Sequence, residues 1–280
     1  MRRRHYHSSG AKGTAVGVDV GATLAKVAVR DGSGAEPRFE LLPAQALERV
    51  REIVAAARPE RVGLTGGGAA ALARLLSMDT ARVSEFDAWG AGCAALLGEA
   101  AGGRYLLVSL GTGTSIMLSD GGKVVRIGGT ALGGGTVLGL GRALVGTGSF
   151  AELCALAARG DRRRVDLAVG DVYPAGGELP LAGDLTASAF ARLARDGAPP
   201  ARPEDLAHAL LGMVGENVAL IAGGLAAAAQ VERVVFAGST LRQNPALRDV
   251  LVDILGRFGK AVSFPENGEF GGALGALLLA

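Results

Sequence analysis

The sequence predicts an α/β fold of two duplicated lobes facing a cleft. Three observations carry that expectation. A strand–glycine turn–strand unit occurs twice, as GVDVGATLAKVAV at 17–29 and LLVSLGTGTSIML at 106–118. Each unit is followed by segments whose apolar residues recur at helical spacing. The chain has 280 residues, long for one simple domain and ample for two.

The elements follow in order. Residues 15–20 read as a buried strand and 25–30 as its partner across a glycine turn. Leu47, Val50, Ile53 and Val54 recur at helical spacing and predict a helix over 43–57. A short strand at 61–64 ends in TGGGA, with helix resuming over 68–76. A helix over 84–97 has Ser84 as its candidate N-cap. Gly102-Gly103 breaks the chain. Strands follow at 105–110, 115–119 and 123–127, the last two joined by the hairpin signal Asp120-Gly121-Gly122. Helices are expected over 150–158, 206–229, 246–256 and 271–279, and strands at 233–237 and 261–264. The smaller lobe is expected over 14–100 and the larger over 101–280. The last helix can pack back across the boundary. Residues 1–13 read as a disordered basic tail.

Composition narrows the function classes. The chain is 49% hydrophobic but only 4% aromatic, so its core must be built largely from Ala, Val and Leu. The net charge of +2 is near balance, which argues against a nucleic-acid partner. The MRRR start lacks a following apolar region and is not a signal peptide. No membrane span is expected, because the nearest candidate, 218–229, is too short. Cys93 and Cys154 form no metal-ligand spacing and read as buried thiols. These features describe a cytoplasmic protein without a structural metal or an iron–sulfur cluster.

The glycine hairpins carry the chemistry. A carboxylate at the end of a buried strand requires a partner. Asp19, followed by Gly21 and Thr23, suits a magnesium–phosphate group, with the carboxylate holding metal-bound water and turn amides holding oxygens. Lys26 could neutralise phosphate charge. An Asp-capped hairpin turn explains the same residues without a ligand. In the second hairpin Gly111 and Gly113 permit positive φ, while Thr112, Thr114 and Ser115 offer hydroxyls. That loop begins at Ser109 and carries no carboxylate, so a general base must come from elsewhere. Glu85 and Asp87 are the candidates, and chemistry alone does not choose between them. The turn AGSTLRQNP at 237–245 could admit a flat ring, or serve only as a loop capped by Asn244 or Ser239.

The stretch 126–146, RIGGTALGGGTVLGLGRALVG, has eight glycines in 21 residues. Arg126 ends a strand. Glycines 128–129 and 133–135 let backbone pass close to a ligand, and Thr136 opens a helix whose N–H groups face phosphate. Gly139 and Gly141 would permit close packing of that helix.

Taken together, GVDVGATLAK, LTGGGAAAL, EFDAWGAG, SLGTGTSI, RIGGTALGGGTVLGL, VDLAVGDVY, LTASAF, VVFAGSTLRQN and GEFGGALGALL resemble the type II pantothenate kinases of the actin–hexokinase superfamily. The resemblance runs from about Ala15 to the end. It implies a duplicated actin-like ATPase (ribonuclease H-like) fold. It also implies ATP- and Mg2+-dependent phosphorylation of pantothenate to 4′-phosphopantothenate, the first step of coenzyme A synthesis. Carried across, Glu85 is the base on the pantothenate hydroxyl. Arg126 contacts the pantothenate carboxylate or an effector, and Thr112 or Ser115 also meets pantothenate. Asp19, through water to Mg2+, and Lys26 serve the phosphate end with Gly21, Thr23, Gly111, Gly113, Gly133, Gly134, Gly135 and Thr136. Gly238 and Leu241 lie near the adenosine. The resemblance further implies a homodimer, with coenzyme A or its thioesters as possible inhibitors. Ala22 and Ala25 depart modestly from the usual first hairpin, and the chain is poor in aromatics near its end. Two other readings fit the same hairpins: a kinase for another small hydroxyl substrate of amino-sugar type, and a non-catalytic nucleotide- or coenzyme A-binding regulator. Two distant cysteines argue against an iron–sulfur activator ATPase.

Overall fold

The computed structural model describes residues 13–33, 35–121, 123–173, 182–198 and 200–280. The tail expected over 1–13 therefore lies outside the described residues, apart from Gly13. The first sheet is built from β1 (Ala15–Val20), β2 (Leu24–Arg30), β3 (Arg38–Pro43), β4 (Arg61–Thr65) and β5 (Ala81–Arg82), with α1 (Leu47–Ala57) and α2 (Ala69–Leu75) between them. Its order is β3-β2-β1-β4-β5. The β2 strand is antiparallel to both neighbours, while β1, β4 and β5 run parallel. Next come α3 (Glu85–Leu97), β6 (Tyr105–Leu110), β7 (Thr114–Asp120), β8 (Lys123–Thr130), α4 (Gly134–Leu140) and α5 (Phe150–Ala157). A small excursion holds β9 (Leu167–Ala168), α6 (Val169–Val172) and β10 (Thr186–Ser188). The chain closes with α7 (Pro203–Ala228), β11 (Arg233–Ala237), α8 (Pro245–Arg257), β12 (Ala261–Ser263) and α9 (Gly271–Leu279).

The second sheet, read from its edge, is β8-β7-β6-β11-β12. Its strand senses repeat those of the first: β7 is antiparallel to both neighbours, and β6, β11 and β12 are parallel. The duplication expected from the two hairpin units is therefore a duplication of topology. This is the actin-like architecture.

Three local expectations are corrected. The helix expected over 43–57 starts at Leu47, and residues 38–43 form the edge strand β3, where Pro43 needs no donor partner. Ser84 occupies the N-cap position of α3 but makes no side-chain capping bond. The helix of the glycine-rich stretch begins at Gly134 and passes into a π-helical turn over Gly141–Val145.

Each sheet has its own apolar core. Val16, Val18, Val20 and Leu64 pack with Val50, Ile53 and Val54 of α1. Val108, Leu110, Ile116 and Phe236 pack with Leu210, Leu211, Val214 and Val218 of α7. The α7 helix is long and apolar enough to cross a membrane, which was not foreseen. Here it is the core helix of the second half, packed against α5, α8, β6, β8 and β11. Both thiols are buried, and loss of hydration pushes Cys93 up to about 12 and Cys154 to about 11.

The last helix decides how the halves meet. The α9 helix lies across β1, β2 and β4 and against α3. Gly17 and Gly63 are register partners on β1 and β4, and together they open a groove for its backbone. A Cβ on either would collide with the carbonyl of Ala273 or Ala276. From the other side, a Cβ on Gly92 would strike the Gly271 carbonyl, and one on Gly275 the Ala88 carbonyl. Because the obstructing atoms are backbone, no rotamer change relieves the clash. Gly275→Ala is therefore expected to lower stability by about 3 kcal/mol in urea denaturation. Gly224→Ala in α7, where a Cβ meets open space, should leave it unchanged or raise it by up to about 1 kcal/mol.

Candidate active site

The β1–β2 and β6–β7 turns meet across a cavity of about 1030 Å³. Their tips touch, with Thr23 Oγ1 and Thr112 Oγ1 2.9 Å apart. Both hairpins, the start of α3 and the start of α4 contribute to the walls, as do α5 and the loop after β11.

The first hairpin supplies a buried ion pair. Asp19 and Lys26 are register partners, and Lys26 Nζ lies 3.2 Å from Asp19 Oδ2. The strand ladder places them side by side, which satisfies the requirement that a buried carboxylate be partnered. Glu85, the first residue of α3, faces the same space. Although its side chain is open to the cavity, the walls withdraw it from bulk water, which raises its carboxyl above the usual glutamate range. Asp19 raises it further and Lys26 opposes this. Among the described residues Glu85 has no ion-pair partner. Glu85 and Asp87 are both exposed, but Glu85 lines the cavity and Asp87 does not, so geometry separates two carboxylates that sequence chemistry left equivalent. Trp89, one turn beyond Glu85, is the chain's single tryptophan and lines the cavity too.

The second hairpin is braced from behind. Thr240 Oγ1 donates to Gly111 O at 2.8 Å, and Thr114 Oγ1 to Leu132 O at 2.7 Å. The glycines at 133–135 prove to be part of this brace. Gly134 N donates to Gly111 O at 2.8 Å and Gly135 N to Thr112 O at 2.9 Å. Gly133 N donates to Thr136 Oγ1 at 3.3 Å, and that hydroxyl donates to Ala131 O. These first N–H groups of α4 are used internally, so the expected phosphate-facing helix start is corrected to a helix docked on the hairpin turn. Gly133 and Thr136 do not line the cavity, whereas Gly134 and Gly135 do. The close approaches at 128–129 and 133 are likewise to protein: Gly128 meets Leu225, Gly129 meets Thr114 O, and Gly133 meets Thr112 O. Gly141 packs on Leu153, but Gly139 faces open space and permits no close packing.

Arg126 stands at the rim. It is exposed on β8 and does not line the cavity itself. A bulge leaves Ile127 unpaired between Arg126 and Gly128. The guanidinium lies forward along the strand, where a Cβ on Gly129 would be 2.6 Å from Nη2. Gly129 pairs with Ser115 of the cavity wall, so Arg126 lies close to that wall. Among the described residues it makes no ion pair.

Gly238 and Leu241 do not line the cavity. Gly238 has φ +111°, and a Cβ there would collide with Leu110 O, so its glycine serves the strand crossing. Leu241 is buried in the core. Their neighbours Ser239, Thr240, Arg242, Gln243 and Pro245 line the cavity instead. Leu138, Phe150, Ala151, Cys154, Ala155 and Ala158 add an apolar part of the cavity wall that the sequence reading missed. Its available signal was the spacing 150, 154, 158 with small residues at 151 and 155, one face of a helix.

Comparison with known proteins identifies the family. A family model described as Fumble matches residues 104–279, more than half the chain. The chain is 35% identical over 269 residues to a protein of Staphylococcus haemolyticus (strain JCSC1435) named Type II pantothenate kinase, covering 94% of this chain and 99% of that one. It is 34% identical over 266 residues to the protein of the same name from Staphylococcus aureus (strain USA300), covering 94% and 98%. Among solved structures, component A of the Acidaminococcus fermentans (R)-2-hydroxyglutaryl-CoA dehydratase superposes with a TM-score of 0.65 at 19% identity, covering 95% and 97%. A ROK family glucokinase from Streptomyces griseus gives 0.61 at 16%, covering 96% and 99%. At such identities these two share the fold alone. The relatives that match along nearly the whole of both chains decide the family, and the chain belongs to the type II pantothenate kinases.

Proposed function

We infer that this protein transfers the γ-phosphoryl group of ATP to the 4′-hydroxyl of pantothenate, forming 4′-phosphopantothenate for coenzyme A synthesis. One observation carries the reading. Glu85, a carboxylate with no ion-pair partner among the described residues, faces the cavity beside the Asp19–Lys26 pair and between two glycine hairpins. A phosphoryl transfer needs that division of labour, a base for the hydroxyl and positioned charge for the phosphate.

In this reading Glu85 accepts the hydroxyl proton as the oxygen attacks the γ-phosphorus. The turns at Gly21–Thr23 and Gly111–Gly113 close on the phosphates from opposite lobes, 14–100 and 101–280. The Thr23–Thr112 contact marks where they converge. Lys26 balances the spreading charge. The nucleoside lies between the apolar wall of Phe150 and Cys154 and the loop of Ser239 and Gln243. Arg126 binds the substrate carboxylate from the rim, with Ser115 below it. Coenzyme A or its thioesters would compete there, and a homodimer is the assembly we expect.

The residues also fit a divalent cation. Among the described residues no three acidic, histidine or cysteine side chains group as a metal site. A magnesium ion would therefore be held mainly by the nucleotide, with Asp19 reaching its water shell, and it would supply charge neutralisation to the transferring phosphate. Asp19 lines the cavity, the side from which that shell would reach its carboxylate.

Purified protein with Mg-ATP and pantothenate should yield phosphopantothenate, detected by mass spectrometry; no product would end this reading. Glu85→Gln should lower kcat by about 10²- to 10⁴-fold with nucleotide affinity preserved. Because the raised carboxyl keeps its proton to higher pH, the base form is lost as pH falls through that raised value. The acid limb of kcat/KM should therefore lie above 4.5, the ordinary glutamate value. A limb at or below it would mean that another group is titrating. Arg126→Ala should raise the KM for pantothenate far more than that for ATP, and equal rises would remove Arg126 from the substrate site.

A further inference from the structure

Besides Lys26, the Asp19 carboxylate meets the backbone of two glycines. On one side a Cβ on Gly66 would lie 2.6 Å from Oδ1. On the other a Cβ on Gly272, in the first turn of α9, would lie 3.0 Å from Oδ2 and 3.1 Å from the carboxyl carbon. The two glycines answer different demands. Gly66 has φ +83°, and a Cβ there would also press on Val20 O at 2.5 Å, so its turn requires glycine whatever Asp19 does. Gly272 has ordinary helical backbone, where Ala is the better helix former. The nearest atoms to a Cβ at Gly272 are all atoms of Asp19. Its helix neighbours differ: a Cβ on Gly271 meets Cys93 and Trp89, and one on Gly275 meets the backbone of Ala88. Gly271 and Gly275 thus serve the helix crossing, and Gly272 serves the carboxylate.

We propose that Gly272 is a positioning residue for Asp19, leaving the carboxylate able to pair with Lys26 while an oxygen meets the water shell of a nucleotide-bound divalent cation. The proposal rests on the phosphoryl-transfer reading above. Contacts of 3.0–3.3 Å to three atoms of one short side chain force that side chain to move by a few tenths of an ångström. Mg2+ tolerates little departure from octahedral geometry, so an outer-shell shift of this kind weakens it on the order of tenfold.

The test is Gly272→Ala, read by electron paramagnetic resonance of free Mn2+ titrated into protein with a non-hydrolysable ATP analogue. The Mn2+ dissociation constant of the ternary complex should rise about tenfold. Affinity for the analogue without metal, and the KM for pantothenate, should stay as in wild type while kcat falls. An unchanged Mn2+ constant, or an equal loss of analogue affinity without metal, overturns the proposal. So does wild-type protein whose analogue binding ignores Mn2+. If Gly272→Ala does not fold, Asp19→Ser is added. Recovery of the melting temperature of Asp19→Ser alone supports the contact, and no recovery overturns it. Wild-type protein that binds Mn2+ and analogue but phosphorylates no pantothenate defeats the functional reading and leaves the Gly272 measurement intact.

Discussion

The passage of α9 between α3 and the first sheet is the constraint on which the site depends. Four glycines, Gly17 and Gly63 below and Gly92 and Gly275 at the helix crossing, let backbone meet backbone. The approach brings the end of β1 and the start of α3 to one place. Asp19 and Glu85 are 66 positions apart in the chain (85 − 19) and belong to different layers. They share a cavity because the helix between the layers is thin enough to draw them together. A methyl group at the crossing would separate those layers and the carboxylates with them.

The two halves use one topology for different tasks. In the first, the hairpin carries charge, and strand register alone pairs Asp19 with Lys26. In the second, the equivalent turn is neutral and is held by main-chain and hydroxyl bonds from α4 and the loop after β11. The charged hairpin needs its partner because the strand is buried. The neutral one needs bracing because glycine-rich backbone is otherwise mobile. The result is a pair of turns that meet through two threonine hydroxyls.

Electrostatics separates the roles of the two carboxylates. Asp19 has a cation at hydrogen-bond distance. Among the described residues Glu85 has none; partial loss of hydration and the Asp19 charge raise its carboxyl. Partnered charge holds a position, and an unpartnered raised carboxylate can take a proton at a pH where an ordinary one would be a weaker base.

Local chemistry made much of this legible in the sequence. Buried strands around a glycine turn announced both hairpins, whereas the pairing of Asp19 with Lys26 came from strand register in the structure. Helical periodicity identified α3, α7, α8 and α9, and the ordered blocks pointed to the family. The strand β3 was missed because it is an edge strand with mixed exposure. Tertiary structure alone decided what each glycine approaches. A residue without a side chain looks the same in sequence whether it makes room for a ligand, as was expected of 133–135, or for a carbonyl of its own fold, as was found. Likewise the bulge at Ile127 set the placement of Arg126, and the turn after β11 hid Leu241 while exposing Ser239 and Gln243. Periodicity and hairpin chemistry are properties of neighbouring residues, so the sequence by itself determined them. The partners of a glycine, an arginine or a cavity wall come from distant segments, and only the packed chain brings those together.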